Sequence, residues 1–108
     1  FRTIHYKPIA GSCQGKLLHG VQYFYTDYEA AEITMTQFYV MQAVNKLYPD
    51  HNPFEVSKNR TVMFDKVCGT DYVRRNFSKR MEVSDIIEYW NKDIKKFKAL
   101  SKKYYLYK

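Results

Sequence analysis

Between Ala30 and Tyr48 the chain repeats apolar side chains at the spacing of one helix face: Ile33, Val40, Met41, Val44, Leu47 and Tyr48. Pro49 ends the run, and Asp50-His51-Asn52-Pro53 is turn chemistry. A helix with such a stripe must bury it against other elements, so the neighbouring segments decide the fold class. Arg2–Tyr6 alternates, with Ile4 and Tyr6 on one side, and Pro8 closes it as a short edge strand. A loop is expected over Ala10–Lys16, around Gly11, Ser12 and Gly15. A second strand follows, with Val21, Tyr23 and Tyr25 facing one way and Gln22, Phe24 and Thr26 the other. Thr26-Asp27 reads as a helix start, because a short acidic side chain can accept orphan amides.

Beyond the long helix, Arg60–Val67 alternates and reads as a third strand, with Val62 and Phe64 on one face and Met63 and Asp65 on the other. Gly69-Thr70-Asp71 breaks it, and Thr70 can cap a short helix in which Val73 and Phe77 stack at i, i+4. Ser84 is placed to cap a last helix whose apolar face is Ile86, Ile87, Trp90, Ile94, Phe97 and Leu100. Asp85 in its first turn and lysines toward its end suit the helix dipole. The ending Tyr104–Tyr107 is too aromatic for a frayed terminus and is expected to pack back on the domain or against something else. The predicted order is β-β-α-β-α-α: an α+β fold in which a small sheet carries about three helices. The absence of repeats, low-complexity tracts and Gly/Ser linkers points to one domain over residues 1–108.

Composition narrows the function classes. With 108 residues, 45% hydrophobic and 27% charged, the chain is ordinary globular material. No apolar run reaches the roughly 18–20 residues of a membrane span, and no signal-peptide pattern is present. The chain starts at Phe1 rather than Met, which fits a fragment. Cys13 and Cys68 are too few for a disulfide-dense scaffold or a four-cysteine zinc site. Two packed free thiols are the expected state, with a single bridge as the alternative. The charge is skewed: residues 1–54 balance four basic against four acidic side chains, whereas residues 55–108 carry fourteen against seven and hold all of the +7. A basic face attracts nucleic acid, anionic lipid or an acidic partner; a solvated helix flank is the plainer reading.

Catalytic motifs are scarce. There is no G-x-G-x-x-G and no phosphate-binding G-x-x-x-x-G-K. His5, His19 and His51 stand apart in sequence from other ligands at metal spacing, so no metal or cofactor is expected. Asp65 and Asp71 flank the Gly69 turn, where they can share one mouth as a glycosidase pair would; Asp71 as a helix-start charge is the structural alternative. Lys95, Lys96, Lys98, Lys102, Lys103 and Tyr104 loosely resemble a nucleic-acid surface, but no RNP-type strand, KH loop or zinc-finger spacing accompanies them.

Taken in order, several short motifs resemble one bacterial family. They are Gly15-Lys16-Leu17-Leu18-His19-Gly20-Val21-Gln22 with Thr26-Asp27, then Leu47-Tyr48-Pro49, Asn52-Pro53-Phe54-Glu55 and Phe64-Asp65-Lys66-Val67-Cys68-Gly69-Thr70-Asp71. Arg74, Ile87-x-x-Trp90, Asp93, Phe97 and Lys103-Tyr104-Tyr105-Leu106-Tyr107 complete the set. Together they resemble the C-terminal domain of the exo-β-N-acetylmuramidases, glycoside hydrolases of peptidoglycan recycling. One departure is Leu18-His19, where relatives often carry Cys-Gly.

The resemblance implies a two-domain enzyme that removes N-acetylmuramic acid from the non-reducing end of peptidoglycan fragments, in the bacterial periplasm or outside the cell. Its Rossmann-like N-terminal domain would hold the main catalytic carboxylate and be this chain's partner. This chain, inert by itself, would wall the cleft and contribute substrate-binding residues only. His19 and Gln22 are candidates for hydrogen bonds to sugar hydroxyls or the amide. Asp71 and Arg74 complete the binding set, the planar fork of Arg74 suiting the lactyl carboxylate of muramic acid. A structural pair between Arg74 and Asp71 is the competing role. Trp90 can stack on a sugar, but its place on the apolar stripe favours the core. The rival functions are a non-catalytic glycan or cell-wall binding module and, less favoured, a basic nucleic-acid module.

Overall fold

The structure is a computed structural model that describes residues 1–56 and 58–107. It divides into two compact units, Phe1–Ile33 and Thr34–Lys108. In the first, strands β1 (Arg2–Tyr6) and β2 (Leu18–Gln22) pair antiparallel, with Arg2 opposite Gln22, Ile4 opposite Gly20 and His5 opposite His19. Gly20 gives close approach: a Cβ there would lie 3.3 Å from the Tyr6 ring, a tight contact to which that ring would have to yield. The second strand thus lies earlier than expected, and Tyr23–Tyr25 fall outside it. Their rings instead pack on one another, Tyr23 against Tyr25 at 5.8 Å and Tyr25 against Tyr28 at 6.2 Å. Asp27 does accept amides, from Glu29 (2.9 Å) and Ala30 (3.1 Å), but it closes a turn rather than a helix.

The long helix α1 runs Ile33–Leu47, inside the predicted limits. After it come α2 (Pro53–Val56), α3 (Thr61–Cys68), α4 (Tyr72–Arg80), α5 (Ile87–Asn91) and α6 (Ile94–Ser101). The class is α+β as expected, with six α-helices among the described residues rather than about three. The predicted third strand is α3. Eight residues of alternation fit either period, and the deciding contacts are tertiary: Phe64 packs against the core with its ring 5.0 Å from Phe54, and Cys68 lies one turn later on the same side.

The single predicted last helix is broken. A 3₁₀ turn, Val83–Asp85, precedes α5, and the chain bends again at Lys92-Asp93 before α6. Ser84 caps nothing, and Asp85 is gripped by the Arg80 guanidinium, with Nε donating to Oδ2 at 3.1 Å. The predicted apolar stripe is split accordingly. Ile86 is buried and Ile87 and Trp90 half-buried, while Ile94, Phe97 and Leu100 are exposed. Tyr104–Tyr107 do not pack back: all four side chains are exposed.

The core consists of Met35, Phe38, Val73, Phe77, Met81, Val83 and Ile86, every one from the helical unit. Phe38 is its centre, with ring contacts to Phe77 (5.3 Å), Trp90 (5.4 Å) and Phe64 (6.4 Å), all edge-to-face. Gln42 on α1 accepts the Val83 N–H at 2.7 Å and so fastens the 3₁₀ turn to the longest helix. Among the described residues no buried side-chain polar atom lacks a partner.

Candidate functional site

The loop from α3 to α4 is where polar chemistry gathers. Gly69 ends α3 with φ of 71°, a left-handed value that glycine adopts without steric cost. The Gly69 N–H donates to the Lys66 carbonyl (3.3 Å) and the Thr70 N–H to that of Asp65 (3.1 Å), the double bond pattern that closes a helix C-terminus. Thr70 stands one residue before the N-cap of α4, Asp71, which makes no side-chain cap bond; the Thr70 Oγ1 accepts the N–H of Tyr72, the first residue of the helix, at 3.1 Å. The Tyr89 hydroxyl reaches the same Oγ1 at 3.4 Å, tying α5 to the loop.

Across this loop Arg74 clamps Asp65. Nε donates to Oδ1 at 2.8 Å and Oδ2 at 3.1 Å, and Nη2 donates to Oδ2 at 2.8 Å; both side chains are half-buried. The Arg74 hydrogen bond holds the Asp65 carboxyl below its ordinary range, outweighing the opposing effect of burial. A glycosidase acid needs the opposite shift, so Asp65 is a fixed anion rather than a proton donor. Burial, and then the charge of Asp65, push the Cys68 thiol up, away from the reactive thiolate. Both cysteines carry free thiols.

The expected structural partner of Arg74, Asp71, is not the one observed. Asp71 pairs with Arg75 at 3.5 Å on the exposed side of α4 and reaches Arg74 only as a nearby charge. The reason lies in α3: as a helix, it presents Asp65 to the half-buried face of α4 that bears Arg74.

Two hollows open on either side of Gly69-Thr70. One, of about 360 Å³, is lined by Val62, Asp65, Lys66, Gly69, Thr70 and Asp71, so the two carboxylates do share a mouth. The other, of about 290 Å³, is lined by Cys68, Gly69, Thr70, Tyr89, Trp90, Lys92 and Asp93. Trp90 is there half in the core, with Phe38 against it, and half at the wall. Tyr89 stacks on Tyr72 at 3.9 Å and carries the Lys92 ammonium 4.0 Å from its ring centre. Lys92 and the Tyr72–Tyr89 stack had no sequence signal, since the two tyrosines lie on different helices.

His19 and Gln22 stand in the hairpin unit, both exposed. The His19 ring meets that of His5 edge-on at 4.4 Å, and Gln22 Oε1 accepts from Arg2 Nε at 3.0 Å. Asp71 and Arg74 come together in the helical unit, on the α3–α4 loop and the first turn of α4. Among the described residues no three His, Cys, Asp or Glu side chains gather as a metal would require, and no helix is long and apolar enough to cross a membrane.

Comparison with known proteins identifies the family of the chain. The family described as Exo-beta-N-acetylmuramidase NamZ, C-terminal, matches residues 1–107. The chain is 32% identical over 107 residues to the peptidoglycan beta-N-acetylmuramidase NamZ of Bacillus subtilis (strain 168), covering 99% of this chain and 25% of that protein. It is also similar to the crystal structure of a DUF1343 family protein from Bacteroides fragilis NCTC 9343, with a TM-score of 0.93 and 44% identity, over 100% of this chain and 28% of that one. The chain thus spans about a quarter of the length of the relatives it matches. Over residues 1–107, from before β1 to the tyrosine-rich ending, this chain belongs to the exo-β-N-acetylmuramidase NamZ C-terminal family.

Proposed function

We propose that this chain is the substrate-cleft wall of a two-part exo-β-N-acetylmuramidase that removes terminal N-acetylmuramic acid from peptidoglycan fragments outside the cytoplasm. The N-terminal part of the same protein is its partner and supplies the catalytic carboxylate. The observation that carries this reading is the match to the B. subtilis muramidase over 99% of this chain but only 25% of that protein. The chemistry of the α3–α4 loop supports it. Its one clamped carboxylate is held ionised, as befits a hydrogen-bond acceptor for sugar hydroxyls. The Nη1 edge of Arg74 makes none of the three bonds to Asp65 and is the part that meets a ligand carboxylate. Lys66 and Lys92 add positive charge at the two hollows. Asp71 contributes a further acceptor at the shared mouth; within the hairpin unit, His19 and Gln22 are separate candidates for hydrogen bonds to a sugar.

Release of N-acetylmuramic acid from muropeptides tests the reading. The complete protein is expected to release it and the 108-residue chain alone to release none. Arg74→Ala in the complete protein is expected to lower kcat/KM at least tenfold, mainly through KM. Activity of the chain alone would overturn the assignment of the catalytic group. Tight muropeptide binding by a complete protein that releases no sugar would favour a glycan-binding module instead.

A further inference from the structure

The end of the chain is amphipathic and uncovered. Ile94, Phe97 and Leu100 of α6 recur every third residue, and Tyr104 in the following 3₁₀ turn continues the same face. The lysines at 95, 96, 98, 102 and 103 occupy the rest of the circumference. None of residues 91–107 is buried, and Phe97 is 66% exposed, Leu106 89% and Tyr107 89%. An eight-residue helix is too short to be stable in water on its own propensity; it needs its apolar face packed. Yet the B. fragilis structure matches the whole of this chain, this segment included, at a TM-score of 0.93. There the matched region makes up only 28% of the chain.

We infer that the Ile94–Tyr107 face is the docking surface for the N-terminal part of the same polypeptide. Three features select that occupant. The relatives carry roughly three times this chain's length on the N-terminal side of a region matched as C-terminal, so a covalently linked partner is present at high effective concentration. The exposed tail is chiefly tyrosine, which offers rigid apolar area together with a hydroxyl that another protein surface can satisfy. The lysines lie off the apolar stripe, as a solvated rim would, rather than at its centre. The inference rests on the two-part reading above for the existence of an N-terminal part, and on nothing in its chemistry.

Hydrogen exchange in the complete protein tests it. The amides of residues 94–101 should exchange at least tenfold more slowly than in the double variant Phe97→Asp/Leu100→Asp, with α1 and α4 equally protected in both. Lys96→Glu, off the stripe, should keep the protection, and so should the conservative Phe97→Leu. The inference is overturned if wild type and double variant exchange alike, if protection rises with protein concentration (a second copy), or if it arises only with vesicles containing phosphatidylglycerol. Muramic acid release by the same samples separates the two conclusions: protection without release leaves docking standing and removes the muramidase reading, and release without protection does the reverse.

Discussion

Arg74 and Asp65 show at single-residue scale what pairing across two helices does. Three hydrogen bonds fix the carboxylate, and the loop between the partners inherits its shape from them. Asp65 and Asp85 both titrate below the ordinary aspartate value of 3.8, each chiefly because an arginine donates to it, Arg74 and Arg80 respectively. A carboxyl whose folded pKa is depressed contributes stability that is complete above the unfolded value and is lost as pH falls through the folded one. Urea unfolding followed from pH 7 to pH 2 should therefore show a flat plateau down to about pH 4 and a decline below it. Asp65→Asn should lower the plateau, and its difference from wild type should shrink as the acid limb is descended; a constant difference down to pH 2 would contradict the clamp. The sequence pointed to Arg74 as a carboxylate-binding residue but to the wrong partner within the protein. Asp71 lies three positions away and Asp65 nine, and the longer pairing becomes visible only once α3 is known to be a helix.

At the scale of elements, the legible parts were those whose pattern repeats over several turns or is punctuated locally. The stripe from Ile33 to Leu47, stopped by Pro49, marked α1 to within a few residues. Thr70 and the Val73/Phe77 pair marked α4. What was not legible depended on distant contacts: the helical state of α3, the break at Lys92-Asp93, and the Asp85–Arg80 pair that takes away the expected first-turn charge of the last helix. The ends of α3 and α4 make a contrast that mutation can read. Gly69 and Met81 both adopt left-handed φ, 71° and 55°, but a Cβ at Gly69 meets only open space whereas the Met81 side chain is 2% exposed. Gly69→Ala is expected to cost roughly 1–2 kcal/mol, the steric price of that conformation, with the fold kept. Met81→Gly relieves a similar strain but removes a buried side chain worth about 2–5 kcal/mol, so it should destabilise as well. Chemical denaturation of the two variants checks both signs; a stabilised Met81→Gly would mean that burial is the smaller term.

The whole molecule is uneven in its cohesion. All seven buried core residues fall between Met35 and Ile86, and none of residues 1–33 is buried. A two-stranded hairpin without a covered face is marginal in water. Amides of β1 and β2 should accordingly exchange within the fast, local-opening regime, while those around Phe38 and Phe77 exchange only on global unfolding. Exchange of both sets at one common rate would show that they open together. The lysine excess of the second half of the sequence is concentrated along the exposed helix α6 and the turn after it. The chain's only tryptophan, Trp90, has one side on Phe38 at the centre of the core and another at the wall of the hollow beside Thr70. Its intrinsic fluorescence is thus a built-in optical reporter for two events, since melting of the interior and, under the proposed function, arrival of a sugar beside the loop would each change the surroundings of the same indole.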